Sequence, residues 1–350
     1  MVPVNKMPPE SKTLPISEES EPGFAQFSDV LQLTLEEMGE RSGSALTGLL
    51  TGFVDFDRLS QGLHPGALVI IASFPGMGKT SLALNIAQHV SMRERKAVGV
   101  LSLEMSQQEL ALRILCSEAE IPFSRMRANR VSQKEWVRII QTVRIIGDAP
   151  LFIDDSHNLT LSEVEEKARS LKREKEVALL ILDYLQLMET DRKYDNRNLA
   201  IAAIVRGLKD LARELGIPII ALHSLPRPTR SIAQPPHLSD LDETLNLDDD
   251  ADMVVFIHRN PSQEDRGFAE LIIAKQRTGE TDTLELVFRD EIATFRNPEK
   301  EPAADMGGQG SLEGDKQIEP APDFRQWIGQ AKQAPENPNP RFRSDDDLWN

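Results

Sequence analysis

Residues 69–81 read Val-Ile-Ile-Ala-Ser-Phe-Pro-Gly-Met-Gly-Lys-Thr-Ser, and this stretch organises the rest of the chain. It begins as an apolar run rich in β-branched residues, which is typical of a buried strand. A Pro/Gly turn follows, and residues 82–87 then show a helical pattern. Strand, small-residue loop and helix in this order are the context of a phosphate-binding loop, so a chance Gly-Lys-Thr turn is the weaker interpretation.

The loop residues match what binding a nucleoside triphosphate requires. Gly76 and Gly78 let the backbone curl so that successive N–H groups point at phosphate oxygens, and the positive end of the following helix favours the same anion. Lys79 can reach the β- and γ-phosphates, and the Thr80 hydroxyl can ligate Mg²⁺. Ser73 stands where the usual pattern has glycine, and it is small enough for the loop to close. The predicted nucleotide-binding residues are Ser73, Pro75, Gly76, Met77, Gly78, Lys79, Thr80 and Ser81.

Composition places the chain among soluble globular proteins. Its 350 residues are 40% hydrophobic and 27% charged, which is ordinary for that class. No apolar run approaches the ~18 residues that span a bilayer, and the N-terminus lacks the pattern of a secretory signal. Cys116 is the only cysteine, which suits a reducing compartment. We therefore expect a cytoplasmic protein without a membrane partner.

The net charge of −16 excludes broad, nonspecific coating of nucleic acid. It leaves room for a local basic site, such as loops that line a channel. Part of the acidity also lies in the two ends of the chain.

Two carboxylates follow predicted strands. Glu104 comes after the apolar run 97–103, and Asp183 ends the apolar run 177–183. The carboxyl ends of strands form the ligand edge of an open α/β sheet, so both side chains are candidates for work on the nucleotide. Glu104 could hold and polarise the attacking water, or it could be a helix N-cap acid. Asp183 fits a carboxylate that holds Mg²⁺ through water.

Strands and helices alternate after the phosphate-binding loop. This alternation predicts an α/β fold, with a parallel sheet covered by helices on both faces. Apolar runs predict further strands, and amphipathic periodicity predicts helices. The predicted strands are 151–155, 217–222, 253–257, 269–279 and 284–288, and the predicted helices are 107–118, 132–146 and 199–215.

The chain divides by composition into four parts. Residues 1–26 are rich in Pro, Glu and Ser and are predicted to be disordered, as are the acidic residues 298–350. Residues 27–44 are predicted to form a helix and its link to the domain at 45–297. Ser28 is a plausible cap of that helix, and the helix packs either on its own domain or on a neighbouring subunit. Its apolar stripe is Val30, Leu31, Leu35 and Met38.

Together these motifs resemble the C-terminal ATPase domain of the bacterial replicative DNA helicase DnaB, a RecA-like P-loop NTPase with a mostly parallel sheet. The likeness runs from about residue 27 to residue 297. The matching segments are Thr51-Gly52-Phe53, Pro75 to Thr80, Ser102-Leu103-Glu104-Met105-Ser106, Asp183-Tyr184-Leu185-Gln186-Leu187-Met188, Leu238-Ser239-Asp240-Leu241, Asp250-Ala251-Asp252 and Ala274-Lys275-Gln276-Arg277.

The resemblance implies roles for individual residues. Lys79 and Thr80 would bind phosphate and Mg²⁺, with Asp183 as the second Mg²⁺ residue and Glu104 as the catalytic carboxylate. Arg277, with Lys275 beside it, would reach into the ATP site of the neighbouring subunit. Unaided by the resemblance, an arginine at a strand end is more often a surface ion-pair partner.

The resemblance also implies partners. Copies of the chain would form a ring, hexameric in this family, closed by the linker helix at 27–44. Single-stranded DNA would pass through a channel lined by loops near 189–198 and 228–237. A helicase loader and other replication proteins are further candidate partners. The predicted DNA contacts are Arg197, Arg206 and Arg230, for which a solvated surface is the alternative.

Several positions depart from the family pattern. Ser224 stands where the family has a glutamine that senses the γ-phosphate, Asp242 replaces an arginine, and Ala200 replaces a glutamate. His223 could act as the sensor only with its ring turned towards the nucleotide; otherwise it is a satisfied strand-end histidine. The family's primase-contacting N-terminal domain is not expected before residue 27.

Three functions remain open. The first is an ATP-driven, ring-forming helicase on single-stranded DNA, supported by Glu104, Asp183 and Arg277. The second is a diverged relative that binds ATP and joins or regulates a helicase ring without unwinding DNA, favoured by Ser224 and Asp242. The third is a RecA-like ATPase of the KaiC or RadA kind, acting on protein or recombination substrates.

Overall fold

The structure is a computed structural model. It describes residue 27 and residues 47–226, 233–241, 247–260, 267–277 and 279–299. Apart from residues 298 and 299, both predicted disordered ends fall outside these ranges. So do the linker helix, of which only Phe27 is described, and both Arg230 and Asp242.

Nine strands in the described part of the chain form one sheet, in the order β3-β2-β4-β5-β1-β6-β7-β8-β9. Each predicted strand is present. The strands are β1 (Leu68–Ser73), β2 (Val98–Ser102), β3 (Leu151–Asp154), β4 (Leu179–Asp183), β5 (Ile219–Ser224), β6 (Met253–His258), β7 (Phe268–Gln276), β8 (Thr283–Arg289) and β9 (Thr294–Arg296).

The sheet is mostly parallel, but not throughout as the alternation of elements predicts. Strands β3, β2, β4, β5, β1 and β6 run parallel, whereas β7, β8 and β9 are antiparallel to their neighbours. The connections at 259–267, 277–282 and 290–293 are shorter than the roughly twelve residues that a parallel crossover needs. The chain therefore turns back directly, and the sheet ends in a meander.

Helices cover the sheet, and three of them begin with a capping box. In each, a Ser or Thr at the cap accepts from the backbone of a Glu three residues later, and that Glu accepts from the cap backbone. The helices are α1 (Val54–Ser60), α2 (Lys79–Gln88), α3 (Gln107–Ala119), α4 (Phe123–Arg127), α5 (Gln133–Ile146), α6 (Leu161–Lys175), α7 (Arg197–Leu215) and α8 (Leu247–Asp250).

Four of these helices, α1, α4, α6 and α8, are absent from the sequence prediction. Helices α1, α4 and α8 are short, with seven, five and four residues, so they offer too few turns for an apolar periodicity. Nine of the 15 residues of helix α6 are charged, and the helix buries only Val164 and Ala168, so its apolar stripe is too narrow to recognise. Within the described ranges, every helix is too short or too polar to cross a bilayer.

The register of the parallel strands brings their carboxyl ends to one edge. Ser73 at the end of β1 pairs with Ser224 at the end of β5. Ser102 at the end of β2 pairs with Asp183 at the end of β4. Since β1 lies between β5 and β6 in the middle of the sheet, the loop that follows it opens at the centre of this edge.

Candidate nucleotide-binding site

The loop between β1 and α2 has the backbone that its glycines predict. Gly76 and Gly78 have φ values of +83° and +100°, in the left-handed region that favours glycine. A Cβ on Gly78 would lie 3.0 Å from the ring of Phe295, so the space there also demands glycine. Gly78 caps α2 without a side-chain acceptor, which leaves the first-turn amides available to an anion.

Lys79, the first residue of α2, folds back over the loop. Its Nζ donates to the carbonyl oxygen and to the Oγ of Ser73, both at 3.2 Å. Burial lowers the pKa of Lys79, and the carboxylates of Asp183 and Glu104 oppose that shift. Ser73 therefore does more than fit where glycine is usual, because its hydroxyl gives the lysine an additional acceptor.

Thr80 and Asp183 meet at the same edge. The Thr80 Oγ1 donates to Oδ2 of Asp183 at 2.7 Å, and Asp183 is only 4% exposed. Burial raises the pKa of Asp183; the Thr80 hydrogen bond opposes this shift and the charge of Glu104 adds to it. A hydroxyl and a carboxylate oxygen side by side are the hard ligands that Mg²⁺ prefers, so this pair fits the predicted metal.

These groups line a cavity of about 520 Å³. Glu104 is exposed at its wall, in the bend between β2 and α3. The cap of α3 is Ser106, whose side chain accepts from the Glu109 backbone. The alternative interpretation of Glu104 as the helix cap is therefore wrong, and its carboxylate stays available to the cavity.

The far wall of the cavity was not predicted from sequence. Arg259 follows β6, and its guanidinium carbon lies 4.0 Å from the ring centroid of Phe288 on β8. Arg259 also donates to Oδ1 of Asp290 at 2.9 Å, which fixes the guanidinium plane. A flat guanidinium and an aromatic ring are suitable partners for a planar base. The signal for Arg259 was its position directly after a parallel strand, as with Glu104 and Asp183; for Phe288 there was none.

Ser224 lines the cavity from the end of β5. Its backbone is held by Gln186, which accepts from Ser224 N at 3.2 Å and donates to Ser224 O at 2.8 Å. His223 is 2% exposed, and its Nδ1 lies 3.0 Å from the Gln186 amide nitrogen. His223 thus has the environment of a satisfied strand-end histidine.

Arg277 and Lys275 lie at the opposite edge of the sheet. Val69 at the start of β1 is level with Met253, which in turn pairs with Gln276. The six-residue strand β1, roughly 20 Å long at ~3.3 Å per residue, therefore separates Arg277 from the phosphate-binding loop of its own chain. This distance exceeds the reach of an arginine side chain, and 45% of the Arg277 side chain is exposed.

Two of the three predicted DNA contacts are described. Arg197 begins α7, and its Nη2 donates to the carbonyl oxygens of Gln186 (2.8 Å) and Met188 (2.7 Å). Arg206 lies on the same helix; its side chain is 74% exposed, and its Nε is 3.5 Å from Oδ2 of Asp250. The structure places both arginines on α7.

A phosphate-binding loop at the end of a central parallel strand, with a buried carboxylate at the end of a nearby strand, defines a P-loop nucleotide-binding domain of the α/β class. The chain belongs to the family described as DnaB-like helicase C terminal domain, whose profile matches residues 48–297.

Similar proteins agree with this assignment. The chain is 37% identical to the replicative DNA helicase DnaB of Leifsonia xyli subsp. xyli (strain CTCB07), over 78% of this chain and 61% of that protein. It is 36% identical to DnaB of Geobacillus stearothermophilus, over 83% of this chain and 66% of that protein. The chain therefore spans slightly under two thirds of the length of these relatives.

Solved structures support the same fold. One, described as an ATPase domain, matches with a TM-score of 0.72 and 33% identity, covering 77% of this chain and 98% of that chain. Another, "The Structure Of A DnaB-Like Replicative Helicase And Its Interactions With Primase", matches with a TM-score of 0.70 and 32% identity, covering 79% of this chain and 68% of that chain. The predicted RecA-like fold is thereby confirmed.

Proposed function

We propose that this chain is the motor of a DnaB-like helicase, in which ATP hydrolysis with Mg²⁺ drives movement on single-stranded DNA. The observation that carries the proposal is the division of the predicted machinery between two edges of one sheet. Lys79, Thr80 and Asp183 lie together at one edge, and Arg277 lies exposed at the other. One subunit thus offers each half of a site that two neighbours would complete.

In this proposal, the residues that line the cavity bind the phosphates and catalyse hydrolysis. Lys79 leaves Ser73 to neutralise the β- and γ-phosphates, while the first-turn amides of α2 hold their oxygens. Thr80 and Asp183 would hold Mg²⁺, and the ion would supply positive charge beside the phosphates. Glu104 accepts a proton from the water that attacks the γ-phosphate, so that the bond to the β-phosphate oxygen breaks and ADP and phosphate leave.

Arg277 acts in trans in this proposal. Arg277 of one subunit would stabilise the transferring phosphoryl group bound by the next, with Lys275 beside it. The linker helix at 27–44 would dock on the neighbour and close the ring.

DNA would contact the inner face of that ring. Arg206 is exposed and shares a 3.5 Å ion pair with Asp250, so it can exchange that carboxylate for a phosphate. Arg197 donates its Nη2 to two carbonyl groups, and in this proposal it shapes the loop at 189–196 as well as meeting DNA. Arg230 completes the proposed set.

A second candidate function rests on Ser224. The Ser224 hydroxyl is too short to span the gap that a glutamine would bridge, and Gln186 already holds its backbone. This arrangement favours a chain that binds ATP and joins or regulates a helicase ring with weak coupling to DNA.

The experiment that separates the two functions measures ATP turnover with and without single-stranded DNA, together with strand displacement on a forked duplex. Turnover that rises with single-stranded DNA, even modestly, together with ATP-dependent displacement, supports the motor, and both should be lost in Lys79→Ala. ATP turnover that does not change with DNA, together with an absence of strand displacement, supports a chain that joins or regulates a helicase ring. Absence of ATP binding would contradict both.

A further inference from the structure

Asp252, between α8 and β6, is a meeting point for three donors. Its Oδ2 accepts from Leu68 N at 2.8 Å and from Lys209 Nζ at 2.6 Å. Its Oδ1 lies 3.3 Å from Nη1 of Arg277. A single carboxylate thus contacts the start of the central strand, the middle of α7 and the predicted trans arginine.

Lys209 is an unusual residue for its place. Its side chain is only 9% exposed, and its Nζ also donates to the carbonyl oxygen of Gly66 at 2.7 Å. Burying an ammonium group costs free energy that a carboxylate partner must offset, and an apolar residue of similar size often serves stability as well. Because the buried charge of Lys209 contributes little to stability, we expect it to have another role.

Residues 249–252 contact both Lys275, near the end of β7, and Arg277, which directly follows β7. Arg277 N donates to Asp252 O at 2.8 Å, and Arg277 Nη2 donates to Asp249 O at 3.3 Å. Lys275 Nζ donates to Ala251 O at 3.0 Å. Residues 249–252 therefore fix both the backbone and the side-chain direction of Arg277.

We propose that the buried ion pair of Lys209 and Asp252 sets the direction of the Arg277 guanidinium; this pair is called the holder of Arg277. This inference rests on the proposed function, since it concerns an arginine that acts in the neighbour's site. Lys209 and Asp252 are positioning residues: they aim the guanidinium outwards from the subunit edge without touching nucleotide themselves.

The ion pair with Lys209 also weakens the contact between the Asp252 carboxylate and the Arg277 guanidinium. Lys209 and Leu68 N occupy Oδ2 at short distances, so the charge that remains for Arg277 is partly compensated. The contact to Arg277 is longer and half exposed, and it borders a cavity of about 670 Å³ lined in part by Arg58, His64 and Glu280. Arg277 can therefore leave Asp252 for a phosphate at small cost.

The holder is fastened to the helix that carries the predicted DNA contacts. Lys209 lies on α7 with Arg197 and Arg206, and Arg206 contacts Asp250 in the same segment. A shift of α7 against the sheet would therefore move Asp252 and, with it, the aim of Arg277.

The test uses Lys209→Met combined with Asp252→Asn, which removes both charges and leaves neither one buried alone. We expect kcat for ATP to fall roughly a hundredfold, as for a catalytic group misplaced by about 1 Å, with ATP affinity unchanged. The control is Arg169→Met with Glu214→Gln, which removes an exposed ion pair of 2.7 Å between α6 and α7. The control should keep wild-type kcat.

Mixed rings locate the defect. Subunits with Glu104→Gln keep an intact Arg277 and its holder, so mixing them with the double variant should restore turnover at interfaces with an intact Glu104. Mixing the double variant with Arg277→Ala should restore nothing, because neither variant supplies a correctly placed Arg277 to its neighbour. A purely structural role would not produce this difference.

The outcomes distinguish failure of the holder from failure of the proposed action of Arg277 in the neighbour's site. If the double variant has wild-type kcat and Arg277→Ala is inactive, Lys209 and Asp252 do not position Arg277, but Arg277 still acts in trans. If both variants have wild-type kcat, Arg277 does not act in trans. If the double variant fails to fold, Asp252→Glu is the deciding variant, because it keeps both charges and displaces the carboxylate. A wild-type kcat in Asp252→Glu would contradict the holder. A reduced kcat that recovers on mixing with Glu104→Gln subunits would support it.

Discussion

The hydroxyl of Thr80 donates to the carboxylate of Asp183 at 2.7 Å, across 103 residues of sequence. The contact forms because the carboxyl ends of β1 and β4 lie at the same edge of the sheet, with only β5 between them, so that the start of α2 reaches the end of β4. In the proposed function, the Thr80 hydroxyl and the Asp183 carboxylate would together hold Mg²⁺. The hydroxyl would ligate through its oxygen and would keep its proton for Asp183.

Lys79→Ala should abolish ATP binding. Lys79 is the cavity cation that folds back over the phosphate-binding loop, and the alanine variant leaves the phosphates without that charge-assisted donor. Equilibrium binding of a fluorescent ATP analogue measures the effect. Lys96→Ala, at an exposed lysine paired with Glu94, should bind like the wild type. Equal affinity in both variants would contradict the role of Lys79.

Glu104→Gln should leave ATP binding nearly intact and stop turnover. The amide keeps the size of the side chain but cannot accept the proton of the attacking water. Phosphate release measures turnover, and Glu166→Gln on the exposed face of α6 is the control. Hydrolysis by Glu104→Gln at the wild-type rate would assign the general base to another residue.

Arg277→Ala should reduce turnover by roughly 10³-fold, the order expected for an arginine finger. Since Arg277 is far from its own phosphate-binding loop, mixing with Glu104→Gln subunits should restore some activity. Titration of one variant into the other, followed by phosphate release, measures this recovery. Lack of recovery at every mixing ratio would count against a site shared between subunits.

Ser224→Gln together with Asp242→Arg should raise the stimulation of ATPase activity by single-stranded DNA. The wild type should show only modest stimulation, because Ser224 cannot reach a γ-phosphate from the end of β5. Affinity for DNA should fall by roughly 0.7 log units per log unit of salt for each phosphate contacted, in both proteins. Strong stimulation and processive unwinding by the wild type would show that coupling runs by another route.

Removal of residues 1–44 should weaken assembly of the ring. The predicted stripe of Val30, Leu31, Leu35 and Met38 would lose its place on the neighbour, while the domain at 48–297 keeps its core. Sedimentation with ATP and Mg²⁺ at several protein concentrations measures assembly. Rings that form at the same concentration as with the full chain would place the helix on its own subunit.

The sequence predicted the nucleotide edge well because local signals suffice there. Residues 69–81 specify strand, loop and helix, and Glu104 and Asp183 each follow an apolar strand directly. Parallel strands bring such positions together whatever their order in the sheet, so the cluster did not depend on knowing the topology.

Other parts of the site depend on pairings that no local pattern records. Phe288 reaches the cavity only because β8 runs antiparallel between β7 and β9 in the meander. Gln186 meets Ser224 through the packing of a turn after β4 against the end of β5. Likewise, Asp252 becomes a meeting point only when β1, β6 and β7 lie in register.

The last strand has a consequence for how the chain is made. Phe295 packs on Gly78, and its backbone N–H donates to Oδ1 of Asn85, 210 positions earlier. A ribosome adding roughly 5–20 residues per second would synthesise the phosphate-binding loop roughly 10–40 s before it reaches Phe295. Asn297 then ties the ends of the domain, donating to Gly52 O at 2.9 Å. A nascent chain would therefore carry its phosphate-binding loop for that time without Phe295, and a fragment that ends before Phe288 would lack one wall of the cavity.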